Sequence, residues 1–478
     1  MPESSLYFYS TASRANYIYD SNSNKIFELD AELWESLKQG EAPPQDYSAG
    51  GFLQHRGIRR FTCLSYGDFR SEIDTNIEKL TIEVTQACNL ACGYCPYNEN
   101  FFSFQGRSSS LSISLGKALE AVRFFFDHSG ENNHKGISFY GGEPLLDWDI
   151  ITKTVAFARQ LAKPSQQLLF GVTTNGTLLE YEEICRFLAA NDFAVHVSLD
   201  GPPAIHDRFR RDHSGAGSFS SIQMGLDTLR RHYKEKFHRL VHVNAVITPL
   251  TDLEETRDFF RNFEFIQEGQ LRVNNVSMEG AKPELRNLFS NEATQIRFNL
   301  QLRDLRNHYL RCLAEGNEPE LLERALFDRQ FRTLYSRHVD ETEVPRRQTI
   351  PVPAICIPCQ KKLFVDARGK FFICEKLNNF KSFGDLDRGI DTRELYQFYA
   401  SHIEDFVQRS CASCWAKRLC SLCYVPFFQN GGRSIGKRKQ KCEQLKRRIK
   451  QDLVDYTTVL EKNPRGFDFF TPQTEETN

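Results

Sequence analysis

KLTIEVTQACNLACGYCPY, residues 79–97, decides how this chain folds. Its first seven residues alternate, with Leu80, Ile82 and Val84 on one face of a strand and polar residues between them. The strand runs straight into three thiols. Cys88 and Cys92 are separated by three residues, Cys92 and Cys95 by two.

The same rhythm continues outward through residues 76–280. SLGKALEAVRFFFDH predicts a helix whose buried stripe is Leu115, Leu119, Val122 and Phe126. GISFYGGEP reads as a strand ending in a turn, and LLFGVTTNG as another. EEICRFLAAND follows as a helix that groups Ile184, Phe187 and Leu188. FAVHVSLDG, RLVHVNAVIT and LRVNNVSMEG add three strands. Strands alternating with helices imply an α/β fold on a parallel sheet, open or barrel-like, of about six units. Active sites of such folds sit at the C-terminal ends of the strands. The cysteine loop, GGEP, TTNGT and SLDGPP follow the first four strands and so share one rim.

Composition sets the bounds. The chain has 478 residues, 40% hydrophobic and 12% aromatic, which is enough for several domains with a substantial core. A net charge of −1 gives no pull toward nucleic acid or anionic membrane. No apolar run is long enough to span a bilayer, and MPESSLYFYS does not read as a secretory signal, so a cytoplasmic location is expected. Fourteen cysteines in a reducing compartment point to metal or redox chemistry rather than disulfides. Cys63, Cys185 and Cys312 stand apart and read as structural thiols.

Three thiolates on one short loop can hold three irons of a [4Fe–4S] cube and leave the fourth iron open. An open coordination site is what a catalytic metal needs. With GGEP (141–144) and SLDGPP (198–203) in that order, Cys88-x3-Cys92-x2-Cys95 resembles the signature of radical S-adenosylmethionine (SAM) enzymes. The resemblance spans roughly residues 76–450. It implies a partial (β/α)6 barrel and a SAM molecule chelated on the open iron, whose reductive cleavage yields a 5′-deoxyadenosyl radical. It also places Tyr94 near the adenine, Gly141, Gly142 and Glu143 at the methionine amino group, and Ser198 and Asp200 near the ribose or carboxylate. TTNGT reads mainly as a strand end, and His206 and Arg208 as a solvated helix start.

A second cysteine field runs from 356 to 442. Cys359-x9-Gly369-x4-Cys374, then Cys411-x2-Cys414-x5-Cys420-x2-Cys423, then Cys442, resembles the SPASM extension of some radical SAM enzymes. That resemblance implies two fully ligated auxiliary [4Fe–4S] clusters, one on Cys356, Cys359, Cys374 and Cys423 and one on Cys411, Cys414, Cys420 and Cys442. Here the gap from Cys420 to Cys423 holds two residues where the module usually has three. Zinc is the alternative for CxxC pairs, although the five residues between Cys414 and Cys420 are too few for a typical paired site. A closed cluster has no iron free for substrate and serves electron transfer.

SLYFYS, NYIYDS and KIFELD read as short strands, and Asp30 as the N-cap of AELWESLKQG. A small β-rich module ahead of the barrel resembles the winged-helix-like element with which peptide-modifying radical SAM enzymes capture a leader peptide. The expected organisation is therefore a recognition element (1–75), the barrel (76–280), a helical bridge (281–350), the SPASM domain (351–450) and a helix end with a mobile tail (451–478). KRKQKCEQLKRRIK reads as a solvated basic helix face. The expected function is oxidative modification of a ribosomally made precursor peptide, a thioether cross-link first, with carbon–carbon or carbon–oxygen linkage close behind. The electron donor would be a flavodoxin or ferredoxin. Formylglycine formation of the anaerobic sulfatase-maturase type is the same-class alternative, disfavoured by Glu375 where those enzymes typically carry Asp. A zinc-stabilised peptide-binding adaptor is the non-enzymatic alternative.

Overall fold

The computed structural model describes residues 5–49, 53, 60–101, 110–278, 280–339, 349–350, 352, 354–378, 380–429, 432–433 and 435–471. At the N-terminus, β1 (Leu6–Ser10), β2 (Asn16–Asp20) and β3 (Lys25–Leu29) form an antiparallel meander. Helix α1 (Ala31–Lys38) follows, capped by the Asp30 carboxylate on the Leu33 N–H at 2.8 Å. This unit has a small core of its own, built from Leu6, Ile18, Leu29, Leu37 and Leu53.

Helix α2 (Tyr66–Thr75) belongs elsewhere. Its Phe69 and Ile73 are fully buried in the main core, and Phe69 stacks on Tyr399. The apolar face of α2 is spent on the barrel side, as is one face of the meander through Tyr9, Tyr17 and Tyr19.

The main sheet carries β4 (Lys79–Thr85), β5 (His134–Gly141), β6 (Gln167–Thr174), β7 (Ala194–Ser198), β8 (Val241–Ile247) and β9 (Leu271–Asn275). All six run parallel in sequence order, as the alternation implies. Two further strands come from the cysteine-rich region. β10 (Leu363–Val365) pairs parallel to β4, and β11 (Phe371–Phe372) returns antiparallel beside it. The sheet order is β9-β8-β7-β6-β5-β4-β10-β11. Leu80, Ile82 and Val84 point to the helices, and Thr81, Glu83 and Thr85 point into the barrel.

Helices α3 (Leu115–His128), α4 (Trp148–Leu161), α5 (Glu182–Ala190), α6 (Pro203–Phe209), α7 (Phe219–Tyr233) and α8 (Leu253–Asn262) connect the strands. The buried centre of α3 is Ala118, Ala121, Val122 and Phe125. Leu115, Leu119 and Phe126 lie at its margins, because the two alanines let the helix sit close to its neighbours. In α5, Ile184, Cys185 and Leu188 are buried, while Phe187 packs at the edge against Trp148.

Residues beyond the barrel form α9 (Glu292–Glu315) and α10 (Leu321–Tyr335), then α11 (Thr392–Ser401) and the long α12 (Ile435–Lys462). Arg306 of α9 bridges Asp452 and Asp455 of α12 at 2.6 and 2.8 Å. The segment expected to be mobile packs as far as residue 471. Phe467 stacks on Phe331 and Tyr456, and Phe470 is also buried, so aromatic burial anchors a stretch without helical period. Residues 472–478 lie outside the described residues. No helix among the described residues is long and apolar enough to cross a membrane.

Candidate active site

The cysteine loop leaves β4 through a register break between Glu83 and Thr85. One side of it is stitched to the GGEP turn. The Gly142 N–H donates to Thr85 O and the Glu143 N–H to Ala87 O, both at 2.8 Å. A Cβ on Gly142 would lie 2.0 Å from Ala87 O, and one on Gly141 (φ +150°) 2.1 Å from Thr85 O. Only glycine permits this approach. The loop's other side is stitched to the segment after α6. Ala91 N–H donates to Arg211 O at 2.7 Å, Gly93 N–H to Phe209 O at 3.0 Å, and His213 Nε2 lies 3.0 Å from Cys88 O.

Asn98 and Asn100 close the loop on itself by donating to Cys92 O and Gly93 O at 3.1 and 3.0 Å. The three thiols lie within electrostatic reach of one another. Burial pushes the Cys88 thiol up to about 12 and the Cys92 thiol up to about 11. Yet donors are aimed at Cys88 Sγ, the Leu90 N–H at 3.4 Å and Asn175 Nδ2 at 3.8 Å. Half-buried thiols, with donors pointed at the sulfur of Cys88, suit anionic ligands whose charge a bound metal cluster balances.

Tyr94 is buried behind the loop, and its hydroxyl donates to Asp200 Oδ2. Arg210 Nε donates to the same oxygen at 3.0 Å, and the Val246 N–H to Oδ1 at 2.9 Å. Asp200 is 2% exposed with both oxygens engaged, so it joins the cysteine loop to the ends of β7 and β8 rather than facing an open site. This differs from the expectation that it meets ribose or carboxylate. His206 is buried too, not solvated. Its Nδ1 accepts the Asp200 N–H at 3.2 Å, its Nε2 faces Ser218 Oγ at 3.0 Å, and burial pulls its pKa down to about 4. Arg208 is exposed.

Glu143 is fully buried. Its Oε1 accepts from Leu145 N–H (3.1 Å) and Thr174 Oγ1 (2.8 Å), and its Oε2 from Asn175 N–H (2.6 Å). Burial pushes its pKa up to about 7 against the pull of those three donors. Ser198 ends β7 opposite Asn244, half-buried. TTNGT does more than end a strand. Asn175 bonds Asn89 at 2.8 Å, and Asn89 bonds Thr177 at 2.8 Å, so this turn backs the cysteine loop. A bare Asn-Gly signal carries no information about such a distant partner.

The other eight cysteines fall into two neighbourhoods. Cys411, Cys414, Cys420 and Cys442 line one cavity of about 300 Å³. A water molecule's share of liquid is about 30 Å³, so this space is far larger than one ion needs. Cys359 lies within electrostatic reach of Cys356 and Cys374, and Cys356 of Cys423. Among the described residues, no three His, Cys, Asp or Glu side chains converge as a single metal ion requires. Both neighbourhoods are chemically suited to all-thiolate clusters. Arg438 lies in the basic stretch read as solvated, yet it is buried. It donates to Cys411 Sγ at 2.9 Å with its guanidinium over Phe406 and Phe427.

Residues 82–263 match the radical SAM superfamily family model. They form a radical SAM domain. Enzymes of this family use a [4Fe–4S] cluster and SAM, and the cysteine loop fits that cluster by donor chemistry and arrangement. The domain sets aside the zinc-adaptor reading. The cysteine-type anaerobic sulfatase-maturating enzyme of Clostridium novyi is 30% identical over 183 residues, 38% of this chain and 47% of that one. The serine-type enzyme of Bacteroides thetaiotaomicron is 29% identical over 155 residues, 31% of this chain and 35% of that one. The chain spans less than half the length of these curated relatives. The solved structure of anSMEcpe with bound AdoMet and a peptide shares the fold, with a TM-score of 0.58 at 19% identity over 82% of this chain and 98% of that one.

Proposed function

We propose that this chain is a SPASM-type radical SAM maturase that oxidises a ribosomally made peptide. The observation that carries the reading is the sorting of eleven cysteines into a three-thiol loop and two four-thiol neighbourhoods. Cys88, Cys92 and Cys95 hold the catalytic cluster. Cys356, Cys359, Cys374 and Cys423 hold one auxiliary cluster, and Cys411, Cys414, Cys420 and Cys442 the other. When bound, the first cluster with SAM supplies a hydrogen-abstracting 5′-deoxyadenosyl radical, and the auxiliary clusters take up the second electron.

The chain's own residues position these groups. Gly141, Gly142 and Glu143 form the edge toward the methionine amino group, with glycine making room and Glu143 locking the turn to β6. Tyr94 walls the adenine side, and Ser198 lies toward the ribose. Asp200 and Arg210 hold Tyr94 in place. The N-terminal meander captures the peptide's leader by strand addition. A cytoplasmic flavodoxin or ferredoxin reduces the first cluster.

The product is a thioether, in which a C–H and an S–H of the peptide are exchanged for a C–S bond. Formylglycine formation is the second reading, favoured by the names of the relatives. Against it, Glu375 is held by Lys362 at 2.9 Å and is poorly placed to act as a free base. The deciding experiment reconstitutes the protein anaerobically with SAM, a reductant and the small cysteine-containing peptides encoded beside its gene. Mass spectrometry follows peptide and 5′-deoxyadenosine together. Loss of two hydrogens, mapped between a cysteine and a second residue, supports the cross-link. Exchange of one sulfur for oxygen on a single cysteine, with loss of two hydrogens, supports formylglycine. A fully iron-loaded protein that makes no 5′-deoxyadenosine overturns both.

A further inference from the structure

The lumen of the barrel is hollow where a closed barrel would be packed. Four small inward residues, Gly136, Ser138, Gly171 and Ala194, stand along β5, β6 and β7 and border a cavity of about 580 Å³. That volume lies in the range of ligand sites, roughly 300–1,000 Å³. It opens toward the strand starts, the end opposite the cysteine loop.

The charge in this space is not balanced. Lys79 starts β4, Arg272 stands at the start of β9, and both share the inward face with His196 and His242 by register. Lys79 and His196 line the cavity. Arg272, His242 and Lys79 all lie within electrostatic reach of His196, and the two imidazoles stack with centroids 5.0 Å apart. The nearby carboxylates are already engaged, Glu78 by Lys361 at 2.8 Å and Glu375 by Lys362 at 2.9 Å. Glu375 lies within electrostatic reach of Lys79 but pairs with Lys362, and no ion pair to Lys79 or Arg272 forms among the described residues. Two cations without an ion-pair partner among the described residues, Lys79 lining the cavity and Arg272 near it, form an anion site, and a carboxylate satisfies them by charge-assisted hydrogen bonds.

We propose that the lumen binds an acidic peptide, with an Asp or Glu side chain held between Lys79 and Arg272. This rests on the peptide-maturase reading and adds the substrate's chemical class. β4 rises about 3.3 Å per residue from Lys79 to the cysteine loop, so the two ends stand roughly 20 Å apart. An extended peptide spans that distance in about six residues. The acid is therefore a handle several residues from the modified position, not the modified residue.

The test uses two synthetic dodecapeptides containing one cysteine, identical except that every Asp and Glu of one is Asn or Gln in the other. Titration calorimetry with the reconstituted, SAM-loaded protein at low ionic strength should show the acidic peptide binding about tenfold more tightly. The preference should vanish in the Lys79→Gln/Arg272→Gln variant and return in Lys79→Arg/Arg272→Lys, with urea midpoints confirming that both fold. Equal binding of the two peptides by the unmodified protein overturns the proposal. So does a preference that survives the double glutamine variant. 5′-Deoxyadenosine from the same samples is read separately. Its absence defeats the maturase reading, whereas its presence without an acidic preference defeats only the lumen site.

Discussion

Single residues hold the cysteine loop at fixed points, and each point can be removed. Gly142 lies so close to Ala87 O that a methyl group must push the loop away. Gly142→Ala should destabilise the protein by about 1–3 kcal/mol and lower the iron retained after desalting. Urea denaturation and an iron assay check both. Asp200 is the counter-ion of the buried Arg210 and the acceptor for Tyr94. Asp200→Ala leaves that guanidinium unpaired and should cost about 3–5 kcal/mol, read from the urea midpoint. Arg438 raises a different question, because its charge sits on Cys411. A cation beside an iron–sulfur cluster favours the reduced state. Arg438→Gln should lower the midpoint potential of the auxiliary cluster proposed on Cys411, Cys414, Cys420 and Cys442 in an EPR-monitored titration. An unchanged potential would show that the guanidinium only fills space.

At the scale of elements, α6 and the turn before it give the fold a pH-dependent seam. His206 is ordinary at about 6.5 when unfolded and depressed to about 4 when folded. The unfolded chain therefore binds the proton first as pH falls. Stability should drop by about 3 kcal/mol between pH 6.5 and 4, with no further loss from this group below that window. His206→Gln should flatten that part of the stability–pH curve. The N-terminal meander is firmly docked. Tyr7 stacks on Trp415 at 4.2 Å, and Tyr17 and Thr11 bond Glu461 at 3.0 and 2.6 Å. Deleting residues 1–49 spares α2 and its core contacts. Peptide modification should collapse while uncoupled SAM cleavage persists, and unchanged turnover of the peptide would end the recognition proposal.

The whole molecule is a barrel completed by its own cysteine-rich extension. β10 lies on β4, so residues 363–365 pair with residues 80–82 across more than half of the chain. That pairing brings Cys356, Cys359 and Cys374 to the barrel's edge, while α12 carries Cys442 to the second neighbourhood. Long-range contacts of this kind add closure entropy to folding, and they follow no local period.

The sequence by itself determined what is local. Alternation at Leu80, Ile82 and Val84 marked the first strand, Asp30 marked a cap, and the cysteine spacings marked the chemistry, because strand pleat, capping and loop ligation all act within a few residues. Only the tertiary structure decided what is distant. It showed Asp200 turned inward to Arg210 and Tyr94, Asn175 reaching Cys88, Arg438 buried on Cys411, and Lys79 facing Arg272 across a hollow lumen. Each of these depends on which segments meet in space, and burial, not spacing, sets the cost of leaving a polar group unpaired there.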